Sequence, residues 1–156
     1  MTNAKLEQAD EHWRLSFERT FNHTVEAVWR ALTDLHAVSA WFPATIEGSW
    51  QVGAELTYRF TNQFGDGLEA HELRGYVQTV DPQTQIAFTW AEHAYSYELS
   101  QSSGMTVLRF NDTYPDPMES ARNAAGWEAC LNNLSRFLDG LDPEEFIAEQ
   151  WRDTYD

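Results

Sequence analysis

Three consecutive segments between residues 86 and 110 alternate apolar and polar residues, which is the period of a half-buried β-strand. The residues of one parity are Ile86, Phe88 and Trp90, then Tyr95, Tyr97 and Leu99, then Thr106, Leu108 and Phe110. Tight connections within residues 91–94 and 101–104 would set Trp90 opposite Tyr95, and Tyr95 opposite Phe110. The sequence therefore predicts an antiparallel sheet with one aromatic face.

A long amphipathic segment, residues 117–140, follows this sheet directly and needs an apolar surface to lie on. Asp116 can cap its first free amides, Pro117 suits the first helical position, and Gly140 is a natural terminator. Its apolar stripe repeats at three and four residues and comprises Ala124, Trp127, Leu131, Leu134 and Leu138. We predict a long helix packed on the aromatic face of the sheet.

The remaining segments complete an α+β pattern in one domain. The other predicted strands span residues 15–21, 45–50, 55–61 and 69–80, and the first of the three segments above starts at Gln85. Two short helices are expected after the first strand, one capped by Asn22 or Thr24 and one over residues 35–41 that Pro43 stops. We predict about seven strands, with an N-terminal tail at 1–12, the domain at 13–141, and a short helix with an acidic tail at 142–156.

Charge and hydropathy exclude several function classes. The formal net charge of −15 repels phosphate backbones and anionic lipid surfaces, so neither nucleic acid nor a membrane is an expected partner. No window approaches eighteen consecutive apolar residues, and the first residues lack the apolar core of a signal peptide. We therefore expect a cytoplasmic protein, in which the single Cys130 is a packing residue.

Four short motifs, in order along the chain, carry a resemblance to a known family. They are residues 25–34, Trp41-Phe42-Pro43, Val80-Asp81-Pro82 leading to Phe88-Thr89-Trp90, and Gly126-Trp127 with Leu131 and Leu134. Together they resemble the helix-grip fold of the START-like, or SRPBCC, superfamily, in the branch named for the activator of heat-shock protein 90 ATPase. The resemblance implies a curved sheet around the C-terminal helix and an apolar groove, but no common catalytic set. Asp112 departs from the pattern, since it falls where related sequences often carry His.

The surplus of aromatic residues predicts a cavity between the sheet and the long helix. The candidate lining residues are Trp41, Phe60, His71, Phe88, Trp90, Tyr95, Tyr97, Leu108, Phe110 and Trp127. No cofactor is predicted, and the scattered histidines show no metal-ligand spacing. Glu69 and His71 share a strand face, and Glu92-His93 falls in a turn; we expect both pairs at a solvated sheet edge.

Three functions remain open at this point. The one we favour is non-catalytic binding of a small apolar or aromatic molecule, which a large cavity would support. An enzyme of the cyclase or hydrolase type would use Tyr95, Tyr97, His71 or Asp112 as acid or base, and would place a carboxylate or His inside the cavity. A co-chaperone role in the stress response, which only the resemblance implies, would need a chaperone partner and an exposed apolar patch.

The C-terminal segment indicates a possible oligomer. Phe146, Ile147 and Trp151 form one apolar edge of the short helix expected within residues 142–156. Such an edge is too small to be stable alone and must dock, either on its own domain or across a two-fold interface. We expect a homodimer.

Overall fold

The computed structural model describes residues 5–9, 12–42, 44–60, 71–90, 93–115 and 120–142. Eight strands lie within these residues: β1 (Lys5–Ala9), β2 (His12–Phe21), β3 (Ala44–Glu47), β4 (Glu55–Phe60), β5 (His71–Asp81), β6 (Gln85–Trp90), β7 (His93–Ser102) and β8 (Met105–Tyr114). The helices described are α1 (Val25–Thr33), α2 (Leu35–Trp41) and α3 (Ser120–Leu138).

The strands form one antiparallel sheet in the order β1-β2-β8-β7-β6-β5-β4-β3, with the C-terminal helix α3 packed near β2 and the two short helices. This confirms the predicted α+β helix-grip fold. The sheet has eight strands, one more than the predicted seven. The additional strand, β1, pairs with β2 and lies in the segment that we predicted as an N-terminal tail.

The two short helices begin and end at residues that the sequence marks. Thr24, rather than Asn22, caps α1, because its Oγ1 accepts a hydrogen bond from the Ala27 amide at 3.2 Å. Asp34 ends α1 and caps α2, since its Oδ1 accepts from the His36 amide at 3.0 Å. Helix α2 spans the predicted residues 35–41. Together these helices carry Leu32, Val38 and Trp41 into the interior.

The strand register differs from the predicted one by two residues. Trp90 lies opposite His93, and Phe88 lies opposite Tyr95, because β6 and β7 are separated by only two residues in the chain. Tyr97, rather than Tyr95, faces Phe110. A shift of two preserves the alternation, so the predicted aromatic residues still share the buried face. The predicted pairings of Trp90 with Tyr95, and of Tyr95 with Phe110, are therefore wrong, whereas the predicted face is correct.

The turn between β7 and β8 explains why Tyr97 lies opposite Phe110. Ser103 and Gly104 both have positive φ, at 51° and 79°, and Ser102 pairs directly with Met105. Two central residues of this kind make a type I′ hairpin turn, which matches the twist of the flanking strands.

The predicted apolar stripe of helix α3 packs against the sheet. Trp127 is 6% exposed, and Leu131 and Leu134 are fully buried. Its C-terminus is closed at Gly140, with φ 76°, where the Leu141 amide donates to the Arg136 carbonyl at 2.8 Å. The predicted start at Asp116 and Pro117 lies outside the described residues. Within the part of the chain that is described, no helix is long and apolar enough to cross a membrane.

Candidate functional site

Aromatic rings converge where α3 crosses the sheet. The Trp127 ring centroid lies 4.1 Å from that of Phe110, 5.3 Å from Tyr95 and 5.5 Å from Phe42. Phe42 follows α2 directly, so this cluster joins the sheet, the long helix and the second short helix. Burying rings of this size contributes strongly to stability, since each removes a large apolar area from water.

A small cavity lies beside this cluster, between the sheet and the helices. Its lining is apolar or aromatic throughout: Leu32, Val38, Trp41, Phe42, Ile46, Trp50, Tyr58, Phe88, Tyr97 and Trp127. Its volume is about 10 Å³. That is space for about one water molecule. This cavity is far smaller than the large one that we expected between the sheet and the long helix.

The predicted site residues fall into four groups with respect to this cavity. Trp41, Phe88, Tyr97 and Trp127 line it. The second group contacts the lining. Trp90 stacks on Tyr58 with 5.4 Å between ring centroids, the Tyr95 centroid lies 5.3 Å from that of Phe88, and the Phe110 centroid lies 4.1 Å from that of Trp127. Leu108 is fully buried on the same sheet face but does not line the cavity. Phe60 and His71 pair across β4 and β5, and their side chains lie outside the description.

Three aromatic lining residues were missed by the sequence analysis. Tyr58 lies two residues after Leu56 on the same buried face of β4, so the period-two pattern contains the signal that could have identified it. Phe42 stands in the Trp41-Phe42-Pro43 motif, next to a residue that was predicted. Trp50 was predicted as the last residue of a strand over residues 45–50, but β3 ends at Glu47, so Trp50 lies in the loop between β3 and β4 and strand periodicity does not indicate which way its side chain points.

The polar atoms of the lining are few, and most are paired. The Tyr58 hydroxyl donates to the Thr89 carbonyl at 3.2 Å, and the Trp41 indole donates to the Ala31 carbonyl at 2.9 Å. The Trp50 indole nitrogen is buried and makes no hydrogen bond within the part of the chain described here. Burial raises the pKa of the Tyr97 phenol well above its ordinary value, as expected for a group held neutral in an apolar site.

A histidine and a carboxylate pair on the same sheet face, outside the cavity lining. His93 Nδ1 lies 2.8 Å from Asp112 Oδ1, with the carboxylate side chain fully buried and the imidazole 16% exposed. The imidazole stacks on Tyr95, at 5.7 Å between ring centroids, and on Tyr114, at 5.3 Å. For His93 the expectation of a solvated sheet edge is therefore wrong, because the observed register makes His93 the first inward residue of β7 and Asp112 lies beside it, whereas Glu92 lies outside the described residues.

Tyr95 separates this pair from the cavity. Burial raises the pKa of the Tyr95 phenol well above its ordinary value, and the Asp112 carboxylate raises it further. The Trp127 indole hydrogen-bonds the same phenol and opposes the shift. Trp127 also lines the cavity, so a short chain of contacts links the histidine to the cavity wall.

No metal centre is found in the described ranges. Across residues 5–9, 12–42, 44–60, 71–90, 93–115 and 120–142, no three His, Cys, Asp or Glu side chains lie close enough to hold a metal ion. Cys130 is buried in α3.

Comparison with known proteins gives a family for this arrangement. The model of the family described as activator of Hsp90 ATPase homolog 1-like protein matches residues 22–139. Among curated proteins, no sequence matches this chain.

Solved structures share the fold. A conserved protein of unknown function from Enterococcus faecalis has a TM-score of 0.74 at 19% identity, over 97% of this chain and 87% of that one. CalU16 from Micromonospora echinospora has a TM-score of 0.72 at 14% identity, over 99% of this chain and 94% of that one. DynU16, from the dynemicin biosynthetic locus, has a TM-score of 0.70 at 26% identity, over 88% of this chain and 51% of that one.

Proposed function

Because this chain belongs to the family of activator of Hsp90 ATPase homolog 1-like proteins, we propose that it binds a small apolar or aromatic molecule between the sheet and its helices. The observation that carries the proposal is the cavity lining, in which sheet, helices and the β3–β4 loop contribute only apolar and aromatic side chains. The place of a structural relative, DynU16, in a biosynthetic locus also supports a small-molecule ligand.

Binding requires the lining to move, since the cavity volume is only about 10 Å³. Trp50 is the lining residue that can move at least cost. It belongs to a loop rather than to a helix or strand, it is partly exposed, and its ring lies 5.3 Å from Phe88. A shift of this indole away from Phe88 would open space for a ligand ring between the two side chains, with the indole still in contact with the ligand. The proposal is therefore of a site that opens to admit its ligand.

The test uses a neutral probe, because a net charge of −15 repels the anionic dyes used for apolar sites. We expect saturable binding of N-phenyl-1-naphthylamine, measured by its fluorescence. Tyr97→Leu removes a lining ring and should weaken binding about tenfold, the loss of one aromatic contact of about 1.4 kcal/mol. Tyr76→Leu is the matched control, since Tyr76 is 57% exposed and lies outside the lining.

Two outcomes would contradict the proposal. One is no saturable binding by the wild type, together with no thermal shift in a screen of aromatic compounds. The other is equal affinity of Tyr97→Leu and wild type, which would place the probe elsewhere on the protein. Circular dichroism of each variant distinguishes a lost site from a lost fold.

Acid–base catalysis is a second candidate function, and the His93–Asp112 pair favours it. A buried carboxylate at 2.8 Å orients the imidazole, which is one way in which carboxylates assist catalytic histidines. The test follows exchange of the α-hydrogens of 1-indanone in D₂O by NMR. Acceleration by the wild type that His93→Gln removes would support catalysis, and exchange at the buffer rate would leave binding alone. The chaperone partner stays a prediction from the resemblance.

A further inference from the structure

We propose that the cavity selects aromatic molecules that carry a neutral hydrogen-bond acceptor, of which an aromatic ketone is the simplest. This inference rests on the proposed binding function and names the ligand class for the same site. It depends on which hydrogen-bonding groups of the lining already have partners and which do not.

Most donors of the lining are already used within the protein. Trp41 donates to the Ala31 carbonyl, Tyr58 donates to the Thr89 carbonyl, and Trp127 hydrogen-bonds the Tyr95 phenol. These groups hold the surrounding structure together and have no hydrogen to offer a ligand. A ligand that relied on them would have to break an internal bond first.

Trp50 is the exception. Its indole nitrogen is buried without a hydrogen bond among the described residues, although its ring lines the cavity. An indole N–H can only donate, so its missing partner must be an acceptor. Buried donors without partners are rare in folded proteins because water satisfied them before folding. A ligand acceptor reaching this nitrogen would restore the lost hydrogen bond.

Tyr97 adds a second donor on the same wall. Its side chain is buried at 4% exposure, and no hydrogen bond of its hydroxyl is found within the described residues. Burial raises the pKa of this phenol well above its ordinary value, so its hydrogen stays in place as a donor at neutral pH. One carbonyl oxygen has two lone pairs and can accept from either group.

Charge decides between a carbonyl and a carboxylate. The ten lining residues include no charged side chain to compensate an anion, and the protein as a whole carries −15. A carboxylate would lose its hydration in such a site without gaining a counter-charge. A neutral acceptor therefore fits the lining.

The experiment compares indane with 1-indanone, which share a bicyclic skeleton and differ by one carbonyl. We expect 1-indanone to bind the wild type about three- to tenfold more tightly, the value of one net hydrogen bond, by calorimetric titration. Trp50→Phe keeps a ring and removes one N–H, so the affinity ratio should fall, and the double variant Trp50→Phe/Tyr97→Phe, which removes both donors, should bring it towards about 1. Trp29→Phe is the matched control, because Trp29 is a partly buried tryptophan outside the lining and should preserve the ratio.

The ratio of the 1-indanone and indane affinities distinguishes failure of this inference from failure of the proposed binding function. If neither compound binds, nor any probe, the proposed binding function fails. If both bind the wild type equally, binding stands and the acceptor inference is overturned. Should Trp50→Phe misfold, Tyr97→Phe provides the second variant. A ratio that survives in the folded double variant Trp50→Phe/Tyr97→Phe also overturns the inference.

Discussion

Truncating Trp127 to alanine should be among the most damaging changes in α3. The indole is 6% exposed, and three aromatic rings surround it, the nearest with its centroid 4.1 Å away. Removing a buried tryptophan costs about 3–5 kcal/mol, from lost burial and the cavity left behind. The broken hydrogen bond to Tyr95 favours the upper half of that range.

The assay is urea unfolding followed by far-ultraviolet circular dichroism. With an m-value of about 2 kcal/mol/M, the loss should lower the midpoint by about 1.5–2.5 M. Trp127→Phe retains a ring and should lower the free energy of unfolding by about half as much as Trp127→Ala. Tyr76→Ala, at an exposed position, should lie within about 0.5 kcal/mol of wild type. A midpoint for Trp127→Ala within about 0.3 M of wild type would refute the packing described here.

Three further predictions concern other parts of the molecule. Gly75→Ala should destabilise by about 3 kcal/mol or more in urea, because its Cβ would lie 1.8 Å from the Thr89 carbonyl oxygen. Burial raises the pKa of Tyr95 and Tyr97, so the folded protein retains protons that the unfolded chain releases near pH 10. The contribution of these two phenols to stability should therefore be intact below about pH 10 and fall above it, by about 1.4 kcal/mol per pH unit for each phenol; a thermal midpoint unchanged from pH 9 to 11 would contradict this. Truncation after Gly140 should convert the expected dimer into a monomer by light scattering, and a wild type already monomeric at high micromolar concentration would argue against a dimer.

Local sequence patterns were sufficient for most of the elements and their faces, although not for β1. Residues 35–41 form α2 as predicted, and the alternation around Phe88 and Tyr97 identifies the buried face of the sheet. Both signals are periodic and come from neighbours in the chain, so they need no knowledge of the fold.

Cross-strand partners, which depend on register, and the positions of loop side chains could not be predicted from local patterns. A two-residue difference in a connection changes every cross-strand partner without changing any face, which is why the pairing of His93 with Asp112 was missed. Trp50 illustrates the other case. A loop residue enters the cavity only because of where the β3–β4 connection runs, and no periodicity records that path.

The position of β2 next to β8 has a consequence for how the chain is made. Ser16 on β2 hydrogen-bonds Asn111 on β8, 95 residues further along the chain. At synthesis rates of about 5–20 residues per second, β2 leaves the ribosome roughly 5–20 s before its partner exists. Its apolar side chains Leu15 and Phe17 have no sheet to join during that interval. Assembly of the domain therefore waits for translation to pass β8, and closing so distant a pair makes folding slow once it starts.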